Sequence, residues 1–475
     1  MTRHVFPMMR WPAAWTLLFV LVATATLPII PVDETRCTSV AWEMWTQRSF
    51  LLPILNGEPY ADKPPMLFWL IHLDWLLFGV NETTLRWIPG LLSVACLAMT
   101  TRIGRKLWPE DPTAPELAAT VLAGTGVWLI WSATIGYEVL LTFWALLGWL
   151  GILRAAERRR DGWILVALAV AGGLLTKGPV VLLHLLPVAL LPSVADRNGR
   201  EPATRGWWKG LAAALFFGVT VVAIWVVAAA GRGGREYGRR ILFDQTFGRM
   251  VHSFAHRRPF WWYLPWLPVL YLPWPFFLVR VRPWRHRPLD SGTRCALLQA
   301  LAPVAALSLI SGKQPYYLIP TIPAGALLMA RGLSRTGATR AARLTAAAVV
   351  AALLLGIVTM RGYIQREYNI AETAAFLRDR MAENRPIAHI GKYYGQFHFV
   401  GRLLQPIPVI GPSNAEIHRF AAEHPGALFI SYGKGNRPEF DGSRVWWVRP
   451  YRLRRVFVWT LDGEEATTTD HRRGE

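Results

Sequence analysis

Apolar residues fall in long blocks separated by short basic stretches, and three blocks are split by one charge. Trp11–Val32 carries no charge, and about 20 apolar residues let a helix cross the hydrocarbon core. It predicts a first span. Leu117–Leu153 contains a single charge, Glu138, near its middle. As one helix it would be about 55 Å long, nearly twice the hydrocarbon thickness, so it predicts a hairpin of two spans. Gly162–Pro192 repeats the arrangement around Lys177, and Cys295–Ala330 repeats it around Lys313. Each lone charge then lies at an apex within reach of water, and all three apices share one side. Four more spans, near 87–101, 211–230, 261–279 and 344–360, bring the expected number to about 11. The short run Met66–Val80 reads as a further span or an interfacial helix.

After Met360 the pattern changes. Helix-like stretches (Ala371–Met381, Ala415–His424) alternate with strand-like runs (Pro386–Ile390, Ala427–Ser431, Arg444–Val448), which predicts a small α/β domain over 361–475.

Charge orients the chain. The segments 1–10, 102–116, 154–161, 193–209, 280–294 and 331–343 hold 22 Lys/Arg against 8 Asp/Glu, so the positive-inside rule makes them cytoplasmic. An odd number of spans puts the N-terminus inside and the C-terminal domain outside. The net charge of +21 follows from this distribution; no basic domain or nucleic-acid motif accompanies it, so nucleic acid is not an expected partner. The first span also has the basic start and small residues of a secretory signal, but the many apolar runs that follow make an uncleaved anchor the better reading. The three cysteines, Cys37, Cys96 and Cys295, are too far apart for metal spacing or a disulfide framework.

This topology gathers Asp33, Glu34, Lys63, Glu138, Lys177, the loop 231–260 and Lys313 on the outer face. Charges at membrane depth are costly unless paired, hydrated or used. The loop carries seven Arg against Glu236 and Asp244, contrary to the positive-inside rule. Contact with anionic headgroups explains this as well as bidentate binding of a phosphate substrate. Asp33, at the end of the first span, is a candidate base for an acceptor hydroxyl; Glu34 reads equally well as its companion or as a local cap. Glu138 is a candidate second acid. Lys177, before Gly178-Pro179, reads as a snorkelling lysine. Lys63 stands after Tyr60 and directly before Pro64 and Pro65; two fixed φ angles hold its ammonium on a stiff segment, which suits a phosphate clamp better than snorkelling.

The motifs "VDETRCTSVAWEM", "LNGEPYADKPPMLFWL", "FGVNETTLRWIPGLLS", "GYEVLLTFW", "LLTKGPVVLL" and "SGKQPYYLIPTIPAGALL" resemble the bacterial polyprenyl-phosphate-sugar glycosyltransferases related to aminoarabinose transferase and protein O-mannosyltransferases, over about residues 12–330. The resemblance implies an α-helical polytopic membrane fold of GT-C type with about 11–13 transmembrane helices. Residues 1–360 would form the membrane domain, with an interfacial outer loop near 33–86, and 361–475 a small extracytoplasmic α/β domain. It also implies a catalytic role for Asp33, with Glu34 beside it, and for Glu138, where the family usually has Asp. Lys63, Tyr60, Arg249, Lys313, Tyr316 and Tyr317 would bind the carrier phosphate or substrate.

The implied reaction moves a sugar from an undecaprenyl phosphate-like donor to a lipid, such as lipid A, or a protein hydroxyl, with inversion in one displacement. Membrane lipids are the surrounding partners. No cofactor is required, because cations already serve the phosphate; a divalent ion on Asp33 and Glu138 stays open. The rival expectation is a transporter or flippase for an anionic polyprenyl-linked lipid, which would need membrane-facing cations too. A noncatalytic lipid-binding scaffold is a third.

Overall fold

The computed structural model describes residues 6–195, 205–241, 258–281, 289–436, 438–440 and 442–461. In chain order the elements are α1 (Phe6–Thr26), α2 (Asp33–Thr46), the short hairpin β1 (Ile54–Leu55) and β2 (Glu58–Pro59), α3 (Met66–Phe78), α4 (Trp87–Leu107), α5 (Thr113–Ala123), α6 (Gly126–Trp131), α7 (Glu138–Ala156), α8 (Asp161–Lys177) and α9 (Val180–Leu190). Long helices follow at Arg205–Arg239 (interrupted at Gly234, φ +81°), Ser291–Leu309, Ile322–Arg335 and Thr339–Tyr368. The chain forms two compact units: Met1–Thr26 with Tyr60–Thr359, and Leu27–Pro59 with Met360–Glu475.

Among the described residues, five helical stretches are long and apolar enough to cross a membrane: Thr84–Leu107, Glu138–Ala156, Arg205–Arg239, Ser291–Leu309 and Thr339–Ala382. The protein is a multi-pass membrane protein. Other expected spans are shorter or interrupted. α1 stops at Thr26, before Pro28 and Pro31, so Leu27–Val32 lies outside the first helix. The segment expected as a span over 261–279 is broken into short turns, because Pro265, Pro268, Pro273 and Pro275 each remove a backbone donor that a continuous helix needs.

The three blocks split by a lone charge do break there. α7 begins at Glu138, α8 ends at Lys177, and Lys313 lies between Ser291–Leu309 and the 3-10 turn Pro315–Thr321. Gly178 closes α8 at φ +67°, a left-handed value that side chains resist, and Pro179 prevents continuation. α7 and α8 approach closely where Gly151 faces Gly162; a Cβ on Gly151 would stand 2.7 Å from the Gly162 carbonyl oxygen. Small residues of this kind let membrane helices pack backbone to backbone.

The basic loops meet at the other end of these helices. Arg331 pairs with Asp111 at 2.6 Å and Glu110 at 2.8 Å, Arg335 pairs with Asp290 at 2.7 Å, and Lys106 pairs with Glu157 at 2.5 Å. The Trp108 indole donates to Asp290 at 2.9 Å. Loops expected on one side of the membrane are thus tied to each other.

In the second unit, a five-stranded sheet runs in the order β4-β3-β5-β7-β6, from β3 (Ile387–Ile390), β4 (Val409–Ile410), β5 (Leu428–Gly433), β6 (Ser443–Tyr451) and β7 (Arg454–Leu461). β3 is parallel to β4 and β5, while β5, β7 and β6 are antiparallel. The helices Ala371–Ala382 and Asn414–Glu423 accompany it. Three of these strands match the expected runs; β4 and β7 were not anticipated. Phe397, Leu428, Ile430 and Val458 fill one apolar cluster, and Phe429, Phe457 and Trp459 another.

α2 belongs to this unit. Ser39 donates to the Gly395 carbonyl at 2.6 Å, the Trp42 indole to Leu403 at 2.9 Å, and Asn56 exchanges two bonds with Ile407. Glu43 accepts the backbone N–H groups of Asn56 and Gly57 at 2.6 and 2.8 Å, which shapes the β1–β2 turn. Burial raises its pKa, and those two hydrogen bonds restrain the rise.

Candidate active site

Within the first unit the helix breaks bring chemistry together. Lys177, the last residue of α8, donates to Glu138 Oε1, on the first residue of α7, at 2.7 Å, with both side chains largely buried. The same ammonium stands 4.8 Å from the Tyr317 ring centre and 5.6 Å from that of Tyr316. Residues from two other hairpins therefore face this cation. Each is placed by a helix end: Lys177 precedes Gly178 and Pro179, Tyr316 and Tyr317 follow Pro315, and Glu138 opens α7.

Lys63 approaches from the stiff segment before α3. Its ammonium is 6.0 Å from the ring centre of Tyr137, the neighbour of Glu138, and donates to the Asp62 carbonyl at 3.2 Å. Tyr60, Phe68 and Tyr137 form an edge-to-face series with centres 6.3 and 6.4 Å apart, and Trp131 stacks on Tyr316 at 6.3 Å. Arg86, buried, donates to the Ala133 carbonyl at 2.6 Å and fixes the break between α6 and α7. Aromatic faces attract ammonium groups without neutralising them, by about 0.5–2 kcal/mol each. The arrangement holds two cations and one acid among tyrosine rings, a set that suits an anionic headgroup.

Lys313 lies at the third apex. Only 2% exposed, it donates to the carbonyls of Ile310 and Arg258 (3.1 Å to Arg258), so its charge closes the end of the helix Ser291–Leu309. Arg249 and the loop residues 242–257 lie outside the described residues.

The other expected acids belong to the second unit, in the first turn of α2, where carboxylates favour the positive helix end. The Asp33 side chain is 77% exposed and pairs with Arg36 at 2.5 Å. Glu34 is buried and accepts the Ile30 backbone N–H at 2.8 Å, which pins the turn leading into the helix.

Residues 62–226 match the family described as dolichyl-phosphate-mannose-protein mannosyltransferase. The chain is 30% identical over 334 residues to the undecaprenyl phosphate-alpha-4-amino-4-deoxy-L-arabinose arabinosyl transferase of Pseudomonas aeruginosa (strain UCBPP-PA14), covering 67% of this chain and 59% of that one. It is 27% identical over 343 residues to the protein of the same name from Erwinia tasmaniensis, covering 70% and 60%. The chain thus spans about three fifths of the length of these relatives. ArnT from Cupriavidus metallidurans bound to undecaprenyl phosphate shares the fold with a TM-score of 0.71 at 17% identity, over 96% of this chain and 99% of that one.

The chain has the GT-C fold and is similar to the aminoarabinose transferases over about two thirds of its own length. An Archaeoglobus fulgidus oligosaccharyltransferase shares the fold more distantly, with a TM-score of 0.52 at 11% identity, over 89% of this chain and 69% of that one.

In this GT-C protein, sequence reasoning undervalued Lys177 and passed over Tyr137. The signal for both was present: each adjoins a helix break, and a lysine that merely snorkels has no need of a facing acid in another hairpin. A metal set is a separate question. Among the described residues no three His, Cys, Asp or Glu side chains gather to hold an ion. Asp33 and Glu138 belong to different units, and the Glu138 carboxylate already faces an ammonium.

Proposed function

We propose that the protein transfers a sugar from an undecaprenyl phosphate-linked donor to an acceptor hydroxyl at the outer face of the cytoplasmic membrane. The observation that carries this reading is the meeting of Lys177, Glu138, Tyr316 and Tyr317 at the hairpin apices, with Lys63 over Tyr137. The names of the relatives point to 4-amino-4-deoxy-L-arabinose on undecaprenyl phosphate as the donor to try first. A lipid such as lipid A, or a protein, is the acceptor class. In this topology the N-terminus is cytoplasmic and the sheet domain extracytoplasmic.

In the proposed reaction the acceptor oxygen attacks the anomeric carbon, its proton passes to a carboxylate, and the bond from that carbon to the phosphate oxygen breaks. Undecaprenyl phosphate departs and the anomeric centre inverts. Asp33, the exposed carboxylate, is assigned the proton. Lys63 and the Tyr316 and Tyr317 hydroxyls are assigned the charge growing on the departing phosphate; losing one such contact costs roughly 10²–10³ in rate. Lys177 is held for the same phosphate by Glu138, which keeps a buried cation compensated when no donor is bound.

The test is reconstitution in nanodiscs with the undecaprenyl phosphate-linked amino sugar and lipid acceptors, read by mass spectrometry. Wild type should form a new glycosidic bond, and Asp33→Asn and Lys63→Ala should each lose it by roughly 10²-fold or more while remaining folded. Movement of the donor across the bilayer with no new bond would instead establish the transporter reading.

A further inference from the structure

The antiparallel strands β6 and β7 are joined by a two-residue turn, because Tyr451 pairs with Arg454. Arg452 and Leu453 occupy it at φ +51° and +64°. Two left-handed residues make the turn that fits a hairpin's twist, and asparagine and glycine usually fill it. A branched leucine there is strained and, at 72% exposed, buries almost nothing. Folding gives no reason for it.

The surroundings do. The Arg452 N–H donates to the Glu367 carbonyl at 2.8 Å and the Leu453 N–H to the Glu367 carboxylate at 3.0 Å. Glu367 is in the last turn of the helix Thr339–Tyr368, part of a stretch that is long and apolar enough to span. Near its end this helix exposes Val358 and Met360, then Arg361, Tyr363 and Arg366. That is the order in which a helix passes from hydrocarbon to headgroups. The turn is therefore fastened to a helix where it leaves the bilayer, with exposed Arg452, Arg454 and Arg455 around one exposed leucine.

We infer that the β6–β7 turn is a lipid anchor. Leu453 enters the interfacial layer, and Arg452, Arg454 and Arg455 hold phosphate groups of anionic lipids, each near-surface cation adding attraction. The anchor fixes the sheet domain to the bilayer surface independently of sugar transfer.

The three native cysteines are buried, so Leu453→Cys in the full chain takes an environment-sensitive fluorophore selectively. Val409→Cys on β4, at the opposite edge of the sheet and 49% exposed, is the control. In nanodiscs holding one copy with phosphatidylglycerol, label at 453 should emit to the blue and be quenched by spin-labelled lipid, whereas label at 409 should not. Exchanging Arg452, Arg454 and Arg455 for Gln should reduce the quenching at least about twofold. Equal behaviour at 453 and 409 would overturn the anchor. So would shielding found only in detergent and rising with protein concentration, which would assign the turn to a second copy.

Discussion

The two units solve the problem of buried charge in opposite ways. Within the apolar blocks of the membrane unit charges are rare, and two of the three at the apices, Lys177 and Glu138, are matched to each other across hairpins. In the sheet unit the buried polar groups sit close together. His398 bonds the Tyr393 hydroxyl at 2.8 Å and approaches Glu43 at 3.9 Å, while His389 and Gln396 share the Tyr432 hydroxyl at 3.2 and 2.6 Å. Where hydrocarbon forbids stray charge, function concentrates in a few side chains. Where water is near, a network of neutral groups can serve folding alone.

The largest effect should come from breaking the apical pair. Lys177→Met leaves the Glu138 carboxylate buried and uncompensated, a loss of about 3–5 kcal/mol; thermal unfolding in detergent should show it. Adding Glu138→Gln should recover most of the stability but none of the transfer. Were the double variant active, the pair would be structural and the contrast between the units would fail.

A smaller effect should appear with pH in the sheet unit. Burial depresses the pKa of both His389 and His398 to about 4. A histidine depressed from about 6.5 favours folding above that value and loses its contribution as pH falls toward 4, at most about 3 kcal/mol for each. The raised pKa of Glu43 opposes part of this loss. Hydrogen exchange of segments near β3 in the full chain should accelerate between pH 6.5 and 4, and His398→Gln should flatten the dependence. Helices of the membrane unit should change less.

Smallest is the packing of α7 on α8. Gly151→Ala forces a methyl against the Gly162 carbonyl and should cost about 1–3 kcal/mol, with activity retained below the lowered melting temperature. A neutral result would mean that the helices can separate without penalty.

Much of the membrane unit was legible because its signals are local. A lone charge in an apolar block must lie at a break: α7 begins at Glu138, α8 ends at Lys177, and the helix Ser291–Leu309 stops shortly before Lys313. Legibility failed where several prolines interrupt an apolar run, since hydrophobicity over 261–279 says nothing of backbone donors. The bonds from Lys313 to the carbonyls of Ile310 and Arg258 were not legible either, because they depend on which segments meet. In the sheet unit, β4 is two residues long and β7 follows β6 so closely that no turn signature of glycine or asparagine announced it.

The sequence alone determined the membrane class, the hairpin apices, the side shared by the basic loops and the motifs that pointed to a GT-C protein. These follow from one physical rule, the cost of polar groups in hydrocarbon, which acts on each segment separately. Only the tertiary structure decided that Lys177 faces Glu138 and two tyrosines, that Glu34 is consumed by a backbone N–H, and that Leu27–Pro59 packs with the C-terminal sheet. Those outcomes depend on which distant segments meet, and the contact energies that choose among them belong to pairs of residues that no local pattern connects.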